Sequence, residues 1–197
     1  DFEKALSLAQ NAGLKLIASC PELKINPEAT TLQLKNHPAL FGYYIQDEPI
    51  KKDFDELGIW VKKIKSADPS HICFVNLIAS IHPTNTKALG TNSYQEYIQD
   101  FAKTVPQDVL SFDFYPILTE AIHENWYEGL GIFSKESASL NKPFWGFALA
   151  SSYNDLHPIP TLPALRLQAY SNLAYGAQGI ELWAYWMSEG LRSAPIS

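Results

Sequence analysis

Two kinds of hydrophobic pattern alternate along the chain of 197 residues. One repeats apolar residues at intervals of three and four, which is typical of a helix with one buried face. The other is a short run that is apolar at nearly every position, which is typical of a strand buried on both faces. The first pattern predicts helices over residues 1–13, 53–67, 93–105, 125–141 and 161–178. The second predicts strands near residues 14–19, 41–47, 71–78, 109–114, 143–149 and 179–185.

Residues with special backbone preferences mark the ends of several predicted helices. Asp53, Ser93 and Thr161 each stand directly before a helical pattern, where a side-chain oxygen accepts a hydrogen bond from the first turn. Gly13 follows the first helical pattern and is a stop signal. These signals support the same order of helices and strands as the apolar pattern.

Continuously apolar strands that alternate with helices belong to a parallel sheet covered on both faces. A doubly wound sheet and a (β/α)8 barrel of the TIM type both satisfy this pattern. A doubly wound sheet builds its site at one switch point, usually with a glycine-rich phosphate turn, and this sequence has no such turn. In a barrel, polar residues gather at the C-terminal ends of many strands. The polar residues in such positions here are Asp47, Glu48, Asn76, Asp113, Tyr115, Ser151, Ser152 and Trp186.

This distribution favours the barrel, as a single domain over residues 1–197. A complete barrel has eight strands in typically about 250 residues, whereas the pattern predicts six. The sequence starts within the repeating pattern and without methionine. The expectation is therefore a TIM-type barrel that lacks its first one or two βα units.

Charge and composition remove several classes of function. The net charge is -6, the sequence pI is about 5.3, and lysine and arginine form no cluster, so nucleic acid is not an expected partner. No apolar run reaches the roughly 20 residues of a membrane span. The five histidines have no metal-binding spacing, and no cofactor is expected. Cys20 and Cys73 are interpreted as small buried side chains, with a disulfide as the less favoured alternative.

The stretch FGYYIQDEPI, residues 41–50, ends an apolar strand with two adjacent carboxylates and a proline. A rigid strand end is suited to holding a carboxylate for acid and base chemistry. Because side chains alternate along a strand, Tyr44, Gln46 and Glu48 are expected on one side and Asp47 on the other. Only one of the two carboxylates is then the acid.

Four segments together resemble the catalytic barrel of clan A glycoside hydrolases, and family 42 β-galactosidase-like proteins most closely. The segments are HPALFGYYIQDEP, LSFDFYPI, KPFWGFALA and LRLQAYSNLAYGAQGIELWAYW. Each motif is weak alone, but their order and spacing cover nearly the whole chain. The resemblance implies a carbohydrate substrate, hydrolysis of O-glycosidic bonds and a periplasmic or extracellular location.

The resemblance implies that Glu48 is the general acid/base, because it ends the strand expected to be the fourth of the barrel. The aromatic rings of Tyr43 and Tyr44 would raise the pKa of this carboxyl by removing it from water. The structural alternative is that Glu48 caps the next helix or pairs with Lys51 or Lys52.

Two departures from the clan pattern concern the catalytic partners. The clan usually has asparagine directly before the acid/base, whereas Asp47 stands there and only accepts hydrogen bonds. The seventh strand usually carries a glutamate nucleophile, whereas residues 143–149 contain no acid. Asp113 and Glu181 are the remaining candidates, with Asp113 preferred as second carboxylate or sugar-binding residue because it stands at a strand end.

Aromatic and amide side chains are candidates for contact with sugar rings and hydroxyls. The resemblance places the tryptophan of the eighth strand at Trp186, whereas packing is the preferred role for Trp145 and Trp183, with sugar contact as the alternative. The candidates for substrate binding are Asp47, Asn76, Tyr115, Trp145 and Trp186, with Tyr153 and His82 as further candidates.

Two functions stay open: a glycoside hydrolase, and a barrel that binds carbohydrate without cleaving it. The sugar, the linkage and the stereochemical outcome are not specified by the sequence.

Overall fold

The computed structural model describes residues 2–79, 86–152 and 155–184. Six strands lie in one sheet, in the same order as in the sequence, and every neighbouring pair is parallel. The strands are β1 (Leu16–Ala18), β2 (Leu40–Asp47), β3 (Ile72–Ile78), β4 (Leu110–Asp113), β5 (Phe144–Leu149) and β6 (Gly179–Trp183). All six predicted strands are therefore confirmed.

The helices lie between the strands along the chain. They are α1 (Phe2–Asn11), α2 (Pro21–Ile25), α3 (Pro27–Leu34), α4 (Phe54–Ala67), α5 (Thr86–Leu89), α6 (Tyr94–Thr104), α7 (Trp126–Leu140) and α8 (Leu162–Ala174). A 3-10 turn over Lys51–Asp53 precedes α4. The five predicted helices are confirmed, each ending within a few residues of its expected bounds.

The strand order excludes the doubly wound alternative, because sequential neighbours leave no point where the order reverses. Six parallel strands with helices between them form a curled half-barrel, which matches a partial α/β barrel. The sheet has an outer face covered by helices and an inner face on the opposite side. Phe112 marks the outer face, because its ring stacks on Phe133 of α7 with ring centres 4.1 Å apart.

The hydrophobic core fills the space between the outer face and the helices. In α4 the apolar residues at intervals of three and four, Phe54, Leu57, Val61 and Ile64, are all at most 2% exposed. Buried aromatic residues of α6 and α7 continue the same layer. Burial of this one stripe explains why the helical pattern was readable in the sequence.

Two short helices before β2 were not predicted. Each begins with proline, at Pro21 and Pro27, a residue whose fixed φ suits the first helical turn. The buried face of α3 includes Thr30 and Thr31 in place of large apolar residues. Because threonine reads as polar, the hydrophobic pattern did not reveal this helix.

The predicted helix caps are confirmed at two of three positions. The Ser93 hydroxyl accepts a hydrogen bond from the backbone N–H of Glu96, and the Thr161 hydroxyl accepts one from Ala164. Asp53 does not cap α4: its carboxylate accepts from the backbone N–H of Ile50 and so closes the preceding 3-10 turn. The turn takes up the residue that would otherwise be the cap.

Asp68, in the loop before β3, is a buried anchor at the N-terminal end of the strands. It is 2% exposed and accepts hydrogen bonds from the Tyr43 hydroxyl at 2.7 Å and the Ser70 hydroxyl at 2.6 Å. The ring of His71 lies 2.6 Å from the same carboxylate. Burial alone would raise the pKa of Asp68, but the hydrogen bonds from Ser70, Tyr43 and His71 together hold it well below its usual range.

Both cysteines are free thiols, Cys73 buried and Cys20 half-buried. Within residues 2–79, 86–152 and 155–184, no helix is long and apolar enough to cross a membrane.

Candidate active site

Carboxylates from two strands meet at the C-terminal edge of the sheet. Asp47 is the last residue of β2, Asp113 is the last residue of β4, and Glu48 follows directly after β2. Asn76 of β3 lies between them, because it pairs in register with Asp47. Parallel strands bring these positions to one edge, which is where barrels build their sites.

The side on which Asp47 lies differs from the sequence prediction. The pairing of β2 with β3 shifts register between Tyr44 and Gln46, which is a bulge. The extra residue breaks the strict alternation, so Asp47 lies on the inner face together with Tyr44, and its charge helps to raise the pKa of the Tyr44 hydroxyl. The expectation that Asp47 points away from the Tyr44 side was therefore wrong.

Glu48 has an unusual backbone. Its φ is 41°, in the left-handed region that costs a residue with a side chain about 1–3 kcal/mol when imposed by its surroundings. Two hydrogen bonds hold this conformation: the Glu48 N–H donates to the carbonyl of Asn76 at 2.8 Å, and the Tyr97 hydroxyl donates to the carbonyl of Pro49 at 2.6 Å. Strain of this kind is concentrated at functional sites.

The structural alternatives for Glu48 were a cap on the next helix and an ion pair with Lys51 or Lys52. The turn before α4 is closed by the Asp53 carboxylate and not by Glu48. Lys51 instead contacts Asp100 at 2.6 Å and Glu96 at 3.4 Å. In the part of the chain that the structure describes, Glu48 forms no ion pair. Its carboxyl is exposed to solvent at the edge of the sheet.

Glu48 and Asp113 form a pair of carboxyl groups. Burial first, and then the negative charge of Glu48, raise the pKa of Asp113 to about 8. Partial burial and the neighbouring Asp47 also raise the pKa of Glu48, whereas a hydrogen bond with Asp113 lowers it. Asp113 is therefore the member of the pair that keeps its proton at neutral pH.

Glu48 and Asp113 influence each other's pKa, so the two carboxyl groups lie close together. Glycoside hydrolases use two carboxyl groups that lie about 5–5.5 Å apart in retaining enzymes and about 6.5–9.5 Å apart in inverting ones. A pair of neighbouring carboxyl groups at this edge of the sheet can hold and transfer a proton.

Asn76 connects the carboxyl groups. It is 3% exposed, its Nδ2 donates to Oδ1 of Asp47 at 3.0 Å, and it lies near enough to Asp113 to oppose the rise of that carboxyl's pKa. Its Oδ1 accepts a hydrogen bond from Ser111 at 3.1 Å. Asn76 was predicted as a substrate-binding residue, and the structure shows a buried amide that orients two carboxyl groups. Oδ1 of Asp113 is itself buried and has no hydrogen-bond partner among the described residues.

Glu181 lies in the middle of β6, in register with Phe147 of β5. It points to the inner face, where its Oε1 is 2.9 Å from the Ser111 hydroxyl. Burial raises its pKa to about 7, and the hydrogen bond from Ser111 opposes this rise. Glu181 therefore lies below the strand ends and reaches the edge through Ser111 and Asn76.

The predicted aromatic contacts occupy different depths. Tyr115 lies two residues past β4, and its ring meets Phe147 edge-on at 6.5 Å. Trp145 is only the second residue of β5 and packs against Phe41 and Phe74, so the structure does not bring it to the C-terminal edge.

The tryptophan that ends β6 is Trp183, which is 46% exposed and had been assigned mainly to packing. Trp186, His82 and Tyr153, which the sequence analysis proposed for sugar contact, lie outside the described residues.

Two amides of α8 hold β5 in place and were missed by the sequence analysis. Gln168 is fully buried, accepts from the N–H of Leu149 at 2.9 Å and donates to its carbonyl at 3.2 Å. Asn172, also buried, donates to the carbonyl of Phe147 at 3.1 Å. Their spacing of four residues within an apolar helix was the signal available in the sequence.

The hydroxyl of Tyr94, like that of Tyr97, supports the rim. Tyr94 donates to the carbonyl of Ile78 at the end of β3, at 2.6 Å. Both tyrosines belong to the apolar pattern that predicts the helix over residues 93–105, so their hydroxyl contacts were not expected. Among the described residues, no group of three or more histidine, cysteine, aspartate or glutamate side chains could hold a metal ion.

Comparison with known proteins gives a fold and no family. No protein-family model and no curated protein matches the chain. Among solved structures, a "putative alpha-L-fucosidase" from Bacteroides thetaiotaomicron matches with a TM-score of 0.67 at 12% identity, over 96% of this chain and 68% of that one. At this identity the likeness shows the shared α/β barrel fold alone.

Two further solved structures are more distant. The catalytic domain of a beta-amylase from Paenibacillus polymyxa matches with a TM-score of 0.44 at 13% identity, over 67% of this chain and 34% of that one. A "putative deoxyribose-phosphate aldolase" from Toxoplasma gondii matches with a TM-score of 0.44 at 11% identity, over 88% and 64% of the two chains.

Proposed function

We propose that this protein is a glycoside hydrolase and that the carboxyl pair of Glu48 and Asp113 is its acid/base unit. The observation that carries the proposal is this pair of carboxyl groups at the C-terminal edge of a parallel sheet, where their surroundings raise the pKa of both. A group that delivers a proton at neutral pH needs a pKa near that pH. We further propose residues 1–197 as one partial barrel domain.

The two members of the pair have different tasks. Glu48 is exposed and would contact the glycosidic oxygen, whereas Asp113 is largely buried and stores the proton. The proton held by Asp113 would pass to Glu48, which would deliver it to the leaving oxygen. When water then attacks the sugar, the proton released by water returns to the pair. Asp47, on the same face, would stabilise positive charge on the sugar.

The class of substrate is supported by two observations of different weight. The motifs around Glu48, Asp113 and Trp186 resemble family 42 β-galactosidase-like proteins, which is the finer assignment that we propose. The solved structure with the same fold is named as a fucosidase, which supports a sugar substrate without identifying the sugar. We propose Tyr115, Trp183 and Trp186 as sugar contacts.

A carbohydrate-binding barrel without hydrolysis is the second candidate. One observation favours it: β5, Phe144–Leu149, carries no carboxylate where the clan has its nucleophile. A binding barrel would keep the aromatic contacts and would have no use for a proton at the edge of the sheet. Turnover therefore separates the two candidates.

The test is a screen of chromogenic glycosides with the wild type and Glu48→Gln. Glutamine keeps the shape but has no proton to give, so turnover of substrates with poor leaving groups should fall on the order of 10²–10⁴-fold. Binding of the same sugars should persist. Glu128→Gln, an exposed position on α7, makes the same charge change and should leave turnover unchanged.

Two results would contradict the proposal in different ways. If the wild type binds sugars and hydrolyses none, the binding barrel replaces the enzyme. If Glu48→Gln keeps full activity on a substrate that the wild type cleaves, a different residue is the acid.

A further inference from the structure

The hydroxyl of Ser111 has one proton but lies within hydrogen-bond distance of two oxygens. This residue is fully buried on β4, and its Oγ lies 3.1 Å from Oδ1 of Asn76 and 2.9 Å from Oε1 of Glu181. A hydroxyl has one proton and donates to only one oxygen at a time. Both contacts are therefore hydrogen bonds only when Glu181 carries a proton and donates it to the Ser111 oxygen.

Asn76 transmits the state of Ser111 to the edge of the sheet. While Ser111 donates to Oδ1, the amide is fixed with its Nδ2 toward Asp47 and Asp113. When Ser111 turns its proton to an ionised Glu181, Oδ1 of Asn76 loses its donor. A buried amide oxygen without a donor is unfavourable, so the amide is then held only by its hydrogen bond to Asp47 and its position shifts.

We propose that the proton on Glu181 controls the arrangement of the carboxyl groups at the edge of the sheet, through Ser111 and Asn76. With the proton present, one continuous chain of hydrogen bonds runs from Glu181 through Ser111 and Asn76 to Asp47, beside Asp113. When Glu181 releases its proton to solvent, the chain breaks at the contact between Ser111 and Asn76. Glu181 is thus a positioning residue, and its effect on catalysis rests on the function proposed above.

The surroundings of Glu181 determine that its carboxyl loses its proton near neutral pH. Burial raises its pKa to about 7, against the lowering effect of the Ser111 hydrogen bond. The titratable group that faces it from β2 is Tyr44, whose hydroxyl is neutral. Asp47 and Asp113 lie on the same inner face, one or two hydrogen bonds further along the chain. Within the described residues, Glu181 forms no ion pair that would hold it ionised.

The test follows the side-chain amide signals of Asn76 by NMR between pH 5 and pH 9, because these signals do not depend on turnover. In the wild type, the Asn76 signals should move with a midpoint near the pKa of Glu181, about 7. Glu181→Gln donates to Ser111 at every pH, so the movement with this midpoint should disappear. Glu128→Gln is the control and should leave the movement intact.

Ser111→Ala separates the hydrogen-bond chain from direct electrostatics. In this variant Glu181 still titrates, which carboxyl ¹³C signals report, but the Asn76 amide should no longer follow it. If Asn76 follows Glu181 equally well without the Ser111 hydroxyl, the charge acts through space and the proposal is wrong. If the Asn76 signals of the wild type do not move near pH 7, the proposal is also wrong.

Activity gives a second readout once a substrate is known. The wild type should lose turnover as pH rises above about 7, and Glu181→Gln should extend activity to higher pH. A wild-type pH profile that Glu181→Gln leaves unchanged would contradict the positioning role. If the protein cleaves no glycoside, the function proposed above fails, while the NMR result still decides whether the hydrogen-bond chain works as proposed.

Discussion

The two ends of the parallel strands treat a carboxyl group in opposite ways. At the N-terminal end, Asp68 is almost fully buried and is surrounded by donors from Tyr43, Ser70 and His71, which hold its pKa well below the usual range. At the C-terminal end, Asp113 is also largely buried, but its neighbours include Glu48, and its pKa rises to about 8. Burial is common to Asp68 and Asp113, so the neighbouring groups decide whether the pKa of each carboxyl falls or rises.

The difference shows what each end of the sheet is built for. A carboxylate that satisfies several donors stabilises the loop before β3, and its ionised form is the one that the fold requires. A carboxyl group crowded by other acids weakens the fold at high pH but keeps a proton ready for transfer. This matches the general division of parallel barrels into a stabilising N-terminal face and a functional C-terminal face.

Asp68→Asn should have the largest effect on stability. The amide turns an acceptor into a donor that faces other donors, so we expect a loss of about 2–4 kcal/mol in the free energy of unfolding at pH 7. Urea unfolding measures the loss. Asp55→Asn, an exposed position in the first turn of α4, is the matched control.

The pH dependence of this loss checks its cause. The pKa of folded Asp68 is lowered, so its contribution is complete above the unfolded value near 3.9 and disappears as pH falls through the folded value. The difference between Asp68→Asn and the wild type should therefore shrink at acidic pH. A loss of the same size at every pH would mean that packing, and not the charge, stabilises this end.

Asp113→Asn should increase the free energy of unfolding at high pH, whereas Asp68→Asn should decrease the free energy of unfolding. The pKa of folded Asp113 is raised, so wild-type stability should fall as pH rises from about 4 to about 8, because only the unfolded state releases the proton there. Asparagine removes this penalty, and we expect a gain of about 1–3 kcal/mol at pH 9, discounted for partial exposure. Urea unfolding at pH 5 and pH 9 tests it. If Asp113→Asn is less stable than the wild type at pH 9, Asp113 stabilises the fold as Asp68 does, and the proposed difference between the two ends of the sheet is wrong.

Glu48→Gln should produce the smallest change, in the pKa of Asp113. The charge of Glu48 is the second cause of the raised value, after burial, so removing it should lower the pKa of Asp113 by about one unit, or roughly 1.4 kcal/mol. Carboxyl ¹³C signals followed over pH give the value. An unchanged pKa would show that burial alone sets it and that the two groups do not form a pair.

Much of the fold was determined by local patterns. The stripe of α4 and the continuously apolar strands predicted the order, type and approximate bounds of the elements, because burial demands a period of 3.6 in helices and unbroken apolar runs in covered strands. The hydrophobic pattern did not predict α3, because the buried face of this helix includes threonines. The sequence also predicted that Asp47, Glu48 and Asp113 lie at strand ends, because each follows an apolar run.

The relations between these residues were decided only by the tertiary structure. The bulge in β2 moved Asp47 to the side of Tyr44, and one extra residue in a strand is not visible in a pattern of period two. The contact of Glu48 with Asp113, and the chain from Glu181 through Ser111 to Asn76, join four strands far apart in sequence. The sequence determined which acids stand at the ends of strands. The distances between them, and therefore where protons lie, arise only when the sheet curls and brings those ends together.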